Sequence, residues 1–578
     1  MHFLIKLKEN LNISYLKTFN DGTDHSNHPC FIKFYGNCIR SLEFEQTKFY
    51  ILGDLVTNLS LSELPIALSK AVENNTVYKF GGFFYLISID KNKIKIFSSL
   101  FNILPVYIFQ MGEETLISSR IKLIQDLTKI ELKVDKQFIL ERLFFNYPLF
   151  NRTIWEQIKL LPSCSHIEFD GKIKIIKSLS IEDYYIESPP KGKDVLENIS
   201  QTFLSTSKKY FPSEKFAVSF TSGFDGRTLV SSGLYFKKDF FTYSFGTRNF
   251  SDVMLPSVQA QKLNLEHDSI ILDEDYVKNK SFENSLEIIK ATEGNTSFNR
   301  AHYRYAAKIL SNKTKYILTG NFGSELFRAF NYSGSVLSDE LRFFFDDNKI
   351  EVWIEKIKKS PKWNYLIEGI YNDELKSLTY ELSEYKNKYK QLPKNAFFYI
   401  YIFQEIFRKY FGAEIVFQRD LIFNRSPYLD FDFINVLLTT YYSGVYSEFY
   451  SNNPLKRYKG QLPYCYIIKN SFPPLLDLIT GKNYKPKDLL TFFGKLKLLN
   501  NFIFKKMKKK EYDPYLVEKA FDNNVPRYLN TQFNDSIFNV KEIKSQLSSN
   551  PTLSEKSLLS HILSINMFLN NKYEYEQV

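Results

Sequence analysis

Between residues 215 and 320 the chain alternates β-prone and helix-prone segments, and nothing else in the sequence constrains its fold as much. "KFAVSF" reads as a strand, "DGRTLVSSGLYF" as a helix, "DFFTYSFG" as a strand and "SDVMLPSVQAQKLN" as a helix. "HDSIIL" is a third strand and, after a longer helical stretch, "KYILTG" is a fourth. Strands joined by helical crossovers run parallel, because the helix returns the chain to the same end of the sheet. The prediction is a parallel sheet with helices on both faces and a ligand site at the carboxyl ends of its strands. Two turns of small residues fall there, "TSGFDG" after Phe220 and "TGNFGSE" after Leu318.

The region before this alternation reads differently. Up to about residue 185, short apolar runs such as "KFYILGDL", "FGGFFYLISID", "KIKIFSSLF", "LPVYIFQ", "TLISS" and "SHIEFDGKIKII" are broken by Asp, Lys, Asn and Gly turns. That pattern predicts packed antiparallel sheets. "IESPPKGKD" reads as a linker. From about residue 331 onward the chain is mostly helical, with no internal repeat.

Composition narrows the class. With 578 residues, 44% hydrophobic and 24% charged, the chain has ample material for several cores. Four cysteines, Cys30, Cys38, Cys164 and Cys465, form no CxxC pair, which argues against structural zinc and for a reducing compartment. "MHFLIKLKENLN" is a poor signal peptide, and no run of about 18 apolar residues occurs, so a cytoplasmic protein without a transmembrane segment is expected. The net charge of +12 is spread thinly, so no nucleic-acid partner is expected. One cluster, "KKMKKK" at 505–510, reads as a solvated helix end or as a basic amphipathic face for anionic lipid or nucleic acid.

The turn at 221–226 poses the chemical question. Glycine and hydroxyl residues after a strand let a backbone approach an anion closely. A carboxylate there, Asp225, repels phosphate unless a metal stands between them, or else it caps the following helix. Arg227 contacts phosphate or lies on a solvated helix face. Ser251 and Asp252 read as caps of the second helix, and His267 and His302 as surface or satisfied core histidines.

Several segments together resemble the asparagine synthetase family. The turn Thr221-Ser222-Gly223-Phe224-Asp225-Gly226 is similar to its ATP-pyrophosphatase loop, SGGxDS. "YSFGTRNFSDVMLPSVQAQKLNLEH", "LTGNFGSELFRAF" and "RSPYLDFDFINVLL" are similar to its later motifs. "FGGFFYLISID", "SSLFNILPVYIF" and "IKLLPSCSHIEFDGK" are similar to segments of its N-terminal half. The order is preserved to about residue 490. The resemblance implies an N-terminal Ntn-hydrolase-like β-sandwich at 1–185, an α/β ATP-pyrophosphatase domain at 195–490 and a basic helical extension at 491–578. It implies ATP and Mg²⁺ as cofactors. Thr221, Ser222, Gly223, Asp225, Gly226, Phe245, Gly246, Thr319 and Gly320 would contact the nucleotide, and Asp225 and Ser324 the metal. Lys482, with Lys485 second, would neutralise charge during adenylation, beside Glu325 and Asn321.

The departures carry equal weight. The family's nucleophilic cysteine after Met1 is His2 here, and its Arg-Asp pair is Ser98-Ser99, so glutamine hydrolysis is not expected. A metal-binding Asp is Ser324, a weaker ligand for a hard cation; Glu325 would substitute, or Mg²⁺ would arrive with ATP. Gly226 removes a hydroxyl from the loop. The expectation is therefore an ATP-dependent enzyme that adenylates a carboxylate and passes it to ammonia or an amine, possible substrates including a peptide, as in lasso-peptide cyclases and β-lactam synthetases. A homodimer is possible. The alternatives are a catalytically inactive scaffold or ATP sensor, and a tRNA-modifying relative, which the lack of a Cys pair disfavours.

Overall fold

The computed structural model describes residues 1–9, 16–19, 30–36, 39–91, 93–128, 130–328, 333–346, 349–448, 458–494, 496, 498 and 513–570. The basic run at 505–510 and Cys38 lie outside them.

The first twelve strands are β1 (His2–Lys8), β2 (Lys17–Phe19), β3 (Phe31–Tyr35), β4 (Ile39–Phe44), β5 (Thr47–Val56), β6 (Gly81–Ile89), β7 (Ile94–Ser98), β8 (Tyr107–Met111), β9 (Glu114–Ser118), β10 (Ile158–Leu160), β11 (Ser165–Phe169) and β12 (Ile173–Lys177). They form two six-stranded sheets, ordered β10-β8-β9-β1-β3-β2 and β12-β11-β7-β6-β5-β4. Every described pairing is antiparallel except β2 with β3, which run parallel. The sheets meet face to face. Phe3, Ile5 and Leu7 of β1 share one core with Tyr85 and Ile87 of β6, and the rings of Phe3 and Tyr85 stand 5.2 Å apart. The outer face of the second sheet is covered by helix Leu64–Glu73, and that of the first by helix Ile121–Thr128. The alternation of strand side chains serves both faces.

The third sheet is wholly parallel. Its strands are β13 (Phe216–Ser219), β14 (Phe240–Gly246), β15 (His267–Ile271), β16 (Tyr316–Leu318) and β17 (Phe423–Arg425), in the order β15-β14-β13-β16-β17. Four of these are the strands legible in the sequence; β17, three residues before a proline, gives no such signal. Along β13, Phe216 and Val218 pack with Leu229 and Val230 of helix Asp225–Tyr235. Ala217 faces the other way, onto Ala306, Ala307 and Leu310 of helix Ala301–Ser311. Helices thus cover both faces, as uninterrupted apolar strands require. The chain leaves β13 toward β14 and β15 on one side, then returns to β16 and β17 on the other. A switch point opens between β13 and β16, paired at Val218 and Leu318.

A single apolar core joins all this, from Phe3 in the first sheet to Phe568 in helix Leu553–Leu569. That last helix packs against Lys136–Phe145 and Ser281–Thr292. Among the described residues no helix is long and apolar enough to cross a membrane.

Candidate functional site

The carboxyl ends of β13 and β16 open onto a cavity of about 250 Å³. Its polar wall holds Thr221, Asp225, Thr319, Gly320, Asn321, Ser324 and Glu325; its apolar wall holds Tyr243, Phe245, Tyr303, Ala306 and Ala307. Phe245 meets the rings of Tyr303 and Tyr515 edge-on or tilted, with centroids 5.1 and 5.8 Å away.

Asp225 is the first residue of its helix, whose N-cap, Phe224, makes no side-chain cap. Its carboxylate turns instead across the switch point. Oδ2 accepts the Ser324 hydroxyl at 2.9 Å, and Oδ1 accepts the Tyr464 hydroxyl. The guanidinium of Arg328 donates to Ser324 Oγ from the far side, so an Arg–Ser–Asp chain runs through the cavity wall. Two glycines make the approach possible. A Cβ on Gly320 would stand 2.4 Å from Asp225 Cβ, and one on Gly226 would stand 2.1 Å from the Ser219 carbonyl oxygen. Gly226, which replaces a serine of the resembled loop, is thus required by helix-on-strand packing in this chain.

The second turn is strained. Phe322 adopts φ +72°, the left-handed region that a bulky residue rarely visits. The rings of Phe407 and Phe411, at 5.0 and 5.4 Å, hold it there. The turn so formed aims Asn321, Ser324 and Glu325 into the cavity. Asn321 Nδ2 donates to Glu414 Oε1 at 3.0 Å, and Glu414 is paired with Arg300.

Glu325 is buried, and loss of solvent, reinforced by the negative charge of Asp225, raises its carboxyl to about 7, against the opposing pull of Arg328. A carboxyl raised in the folded state favours its protonated form there. Its contribution to stability is full below the unfolded value of 4.5 and is lost as pH rises through about 7. Replacing Glu325 by Gln removes that titration. The variant should gain on the native protein by about 3 kcal/mol between pH 4.5 and 7, read from denaturant midpoints at several pH values; parallel curves would refute it.

Other expected site residues lie elsewhere. Ser222, Gly223 and Gly246 do not line the cavity. Ser222 donates from its amide (3.0 Å) and its hydroxyl to Asp252 Oδ1, so the hydroxyl expected to hold phosphate is already engaged by a carboxylate. This also corrects the reading of Ser251 and Asp252 as caps: Phe250 holds the N-cap position and no side chain caps that helix. Arg227 does not lie on a solvated helix face. It is fully buried, and its guanidinium donates to the carbonyls of Leu475, Leu478 and Ile479 at 3.0–3.2 Å. It thereby anchors the segment leading to Lys482, an exposed side chain that does not line the cavity. Lys485 is half-buried, its amide bonded to Asp488. His267 is satisfied by Thr242 and Ser244 at 2.8 and 3.1 Å, and His302 stacks on Tyr515.

Sequence reasoning missed Tyr303, Glu414, Tyr464 and Tyr515. No local pattern marks them, because each arrives from a different helix or loop. Arg328 lies just past the end of helix Gly323–Phe327 in extended conformation, so helical spacing from Ser324 does not place it.

At the chain start, Arg419 donates to His2 Nδ1 at 2.7 Å, and burial pulls the imidazole far below its ordinary range. Cys30 is buried, which raises its thiol to about 11. Neither is a poised nucleophile.

No family model matches this sequence, and no curated protein matches it. Among solved structures, the chain is similar to glutamine phosphoribosylpyrophosphate amidotransferase from B. subtilis complexed with ADP and GMP. Identity is 8%, covering 55% of this chain and 70% of that one, with a TM-score of 0.16. It is also similar to a structure described as the allosteric regulatory enzyme of purine biosynthesis, at 9% identity over 55% of this chain and 69% of that one, with a TM-score of 0.17. Scores of this size carry no argument about this chain.

Proposed function

We propose that this chain is an ATP-dependent amide-forming enzyme, adenylating a carboxylate and passing the acyl group to ammonia or an amine. The observation that carries this is the cavity at the switch point, where a glycine- and hydroxyl-rich turn and a helix start face an aromatic wall. Backbone amides at a helix start favour phosphate, and Phe245, Tyr303 and Tyr515 offer π-faces to a purine.

The substrate carboxylate attacks the α-phosphorus and pyrophosphate leaves; the amine then attacks the acyl carbon and AMP leaves. Among the described residues no Lys or Arg lines the cavity, while Asp225, Glu325 and Glu414 do. A triphosphate there needs a cation. Among the described residues no group of three or more His, Cys, Asp or Glu is placed to hold a metal alone. One carboxylate and a hydroxyl, Asp225 and Ser324, fit Mg²⁺ that arrives with nucleotide phosphates. That ion would supply neutralisation of the leaving pyrophosphate. Glu325, titrating near 7, is suited to accept the proton of the attacking amine.

The half-buried His2, bonded to Arg419, and the buried Cys30 support a second part of the reading, that no glutaminase operates. Glutamine incubated with the protein should release no ammonia above background; release above it would overturn that part.

The decisive test is ATP–pyrophosphate exchange with Mg²⁺ across a panel of amino acids, peptides and other carboxylic acids. Acid-dependent exchange supports the enzyme. Nucleotide binding by calorimetry with no exchange for any acid favours a nucleotide-binding scaffold, a reading supported by the place of Lys482 outside the cavity. Neither exchange nor binding overturns both.

A further inference from the structure

A second cavity, of about 50 Å³, lies between the N-terminal sheets and the helical segment that follows residue 400. One water takes roughly 10–15 Å³ on this scale, so the space admits a ligand of a few heavy atoms. Its charged lining is entirely cationic: Arg152, Arg408 and Lys409. The rest mixes aliphatic groups, among them Leu160, Ala413 and Val416, with the polar side chains of Thr153, Thr292 and Asn295.

The charges are unevenly answered. Arg152 is surrounded by Asp135, Glu141 and Glu381 at 2.6–3.4 Å. Arg408 and Lys409 share a single carboxylate, Glu405, at 3.4 and 2.7 Å. Both are more than nine-tenths buried. Glu405 thus answers two buried cations by direct contact, with Glu141 acting on Lys409 only from a distance, and an anion in the cavity would give them a further partner. The donors are also incompletely used. Arg408 spends Nη1 and Nη2 on Leu161, Phe150 and Asn151, but its Nε, buried, has no partner. Lys409 spends two N–H groups, on Phe150 O at 2.6 Å and on Glu405, and an ammonium has three. Burial lowers Lys409 to about 7, as expected of a cation poorly compensated. Both residues sit in a π-helix, Ile402–Phe411, a rare conformation frequent at functional sites.

We propose that this cavity binds the carboxylate of a small aliphatic acid, received by Arg408 Nε and Lys409 Nζ with its alkyl body against Ala413 and Val416. The site is distinct from the first cavity. Helix Gly412–Gln418 separates them, with Ala413 and Val416 lining one and Glu414 and Gln418 lining the other.

The test is calorimetric titration of the full chain with acetate, propionate, butyrate and, separately, inorganic phosphate. Saturable binding of propionate or butyrate is expected, weakened at least tenfold in Lys409→Met and in Ala413→Leu. The second variant fills the cavity and leaves every charge in place, so it decides the matter if Lys409→Met does not fold. Absence of saturable binding by any of the three acids, binding of phosphate alone, or acid binding unchanged in Ala413→Leu would each overturn the proposal.

Discussion

Asp225→Asn should lower ATP–pyrophosphate exchange by a factor of about 10³ while leaving a folded protein, the scale seen when one preorganised electrostatic group is lost. The carboxylate is the single point where both strand-end turns converge. Gly320 and Gly323 clear space for it, since a Cβ on either would stand 2.4 or 2.6 Å from Asp225 atoms. Its two oxygens accept hydroxyls that can turn away when a cation arrives. Asn keeps the shape and one acceptor oxygen but removes the charge that would hold Mg²⁺ to the phosphates. It also strips Arg328 of the anion that most raises its guanidinium. Exchange kinetics beside a thermal melt separate the two effects. A variant exchanging within tenfold of the native rate would remove Asp225 from the chemistry, whatever its stability.

The second large effect is on stability. Arg425, the last residue of β17, clasps Asp54 of β5 with Nε to Oδ2 at 2.6 Å and Nη2 to Oδ1 at 2.8 Å. Both side chains are about nine-tenths buried, and the third contact of the guanidinium is the Tyr210 carbonyl at 3.1 Å. Asp54→Ala leaves that guanidinium buried without an anion and should cost about 3–5 kcal/mol. Replacing both by apolar residues, Asp54→Leu with Arg425→Met, should recover much of the loss, since a desolvated pair is not itself strongly stabilising. Denaturant midpoints of the native protein, Asp54→Leu, Arg425→Met and the double variant close a double-mutant cycle and give the coupling. A coupling below about 1 kcal/mol, the value of an exposed pair, would mean that water reaches the clasp and that the two sheets are less firmly joined there.

These expectations rest on a site read partly from sequence. The strand–helix rhythm announced β13 to β16, and the small-residue turns placed Asp225, Gly320 and Glu325 at one end of the sheet. Both are local signals: residue type and periodicity are set by the chain's immediate neighbours. Strands β1 and β17 escaped notice because one was read only as a poor signal peptide and the other is three residues long. Tyr303 and Tyr515 of the aromatic wall, and Tyr464 behind Asp225, escaped because they come from three distant segments.

What the sequence by itself determined is the parallel α/β arrangement, the two turns at its carboxyl edge, and the absence of a cysteine after Met1. Those follow from propensity, period and residue identity, which need no partner to be read. Only the tertiary structure decided how the polar groups are used. It turned Asp252 onto Ser222, sank Arg227 among carbonyls, left Lys482 outside the cavity and set Arg408 and Lys409 against one carboxylate. The physical reason is that a charged side chain settles where burial and partners balance its desolvation. That balance is struck between residues up to hundreds of positions apart, so no local stretch of sequence records it.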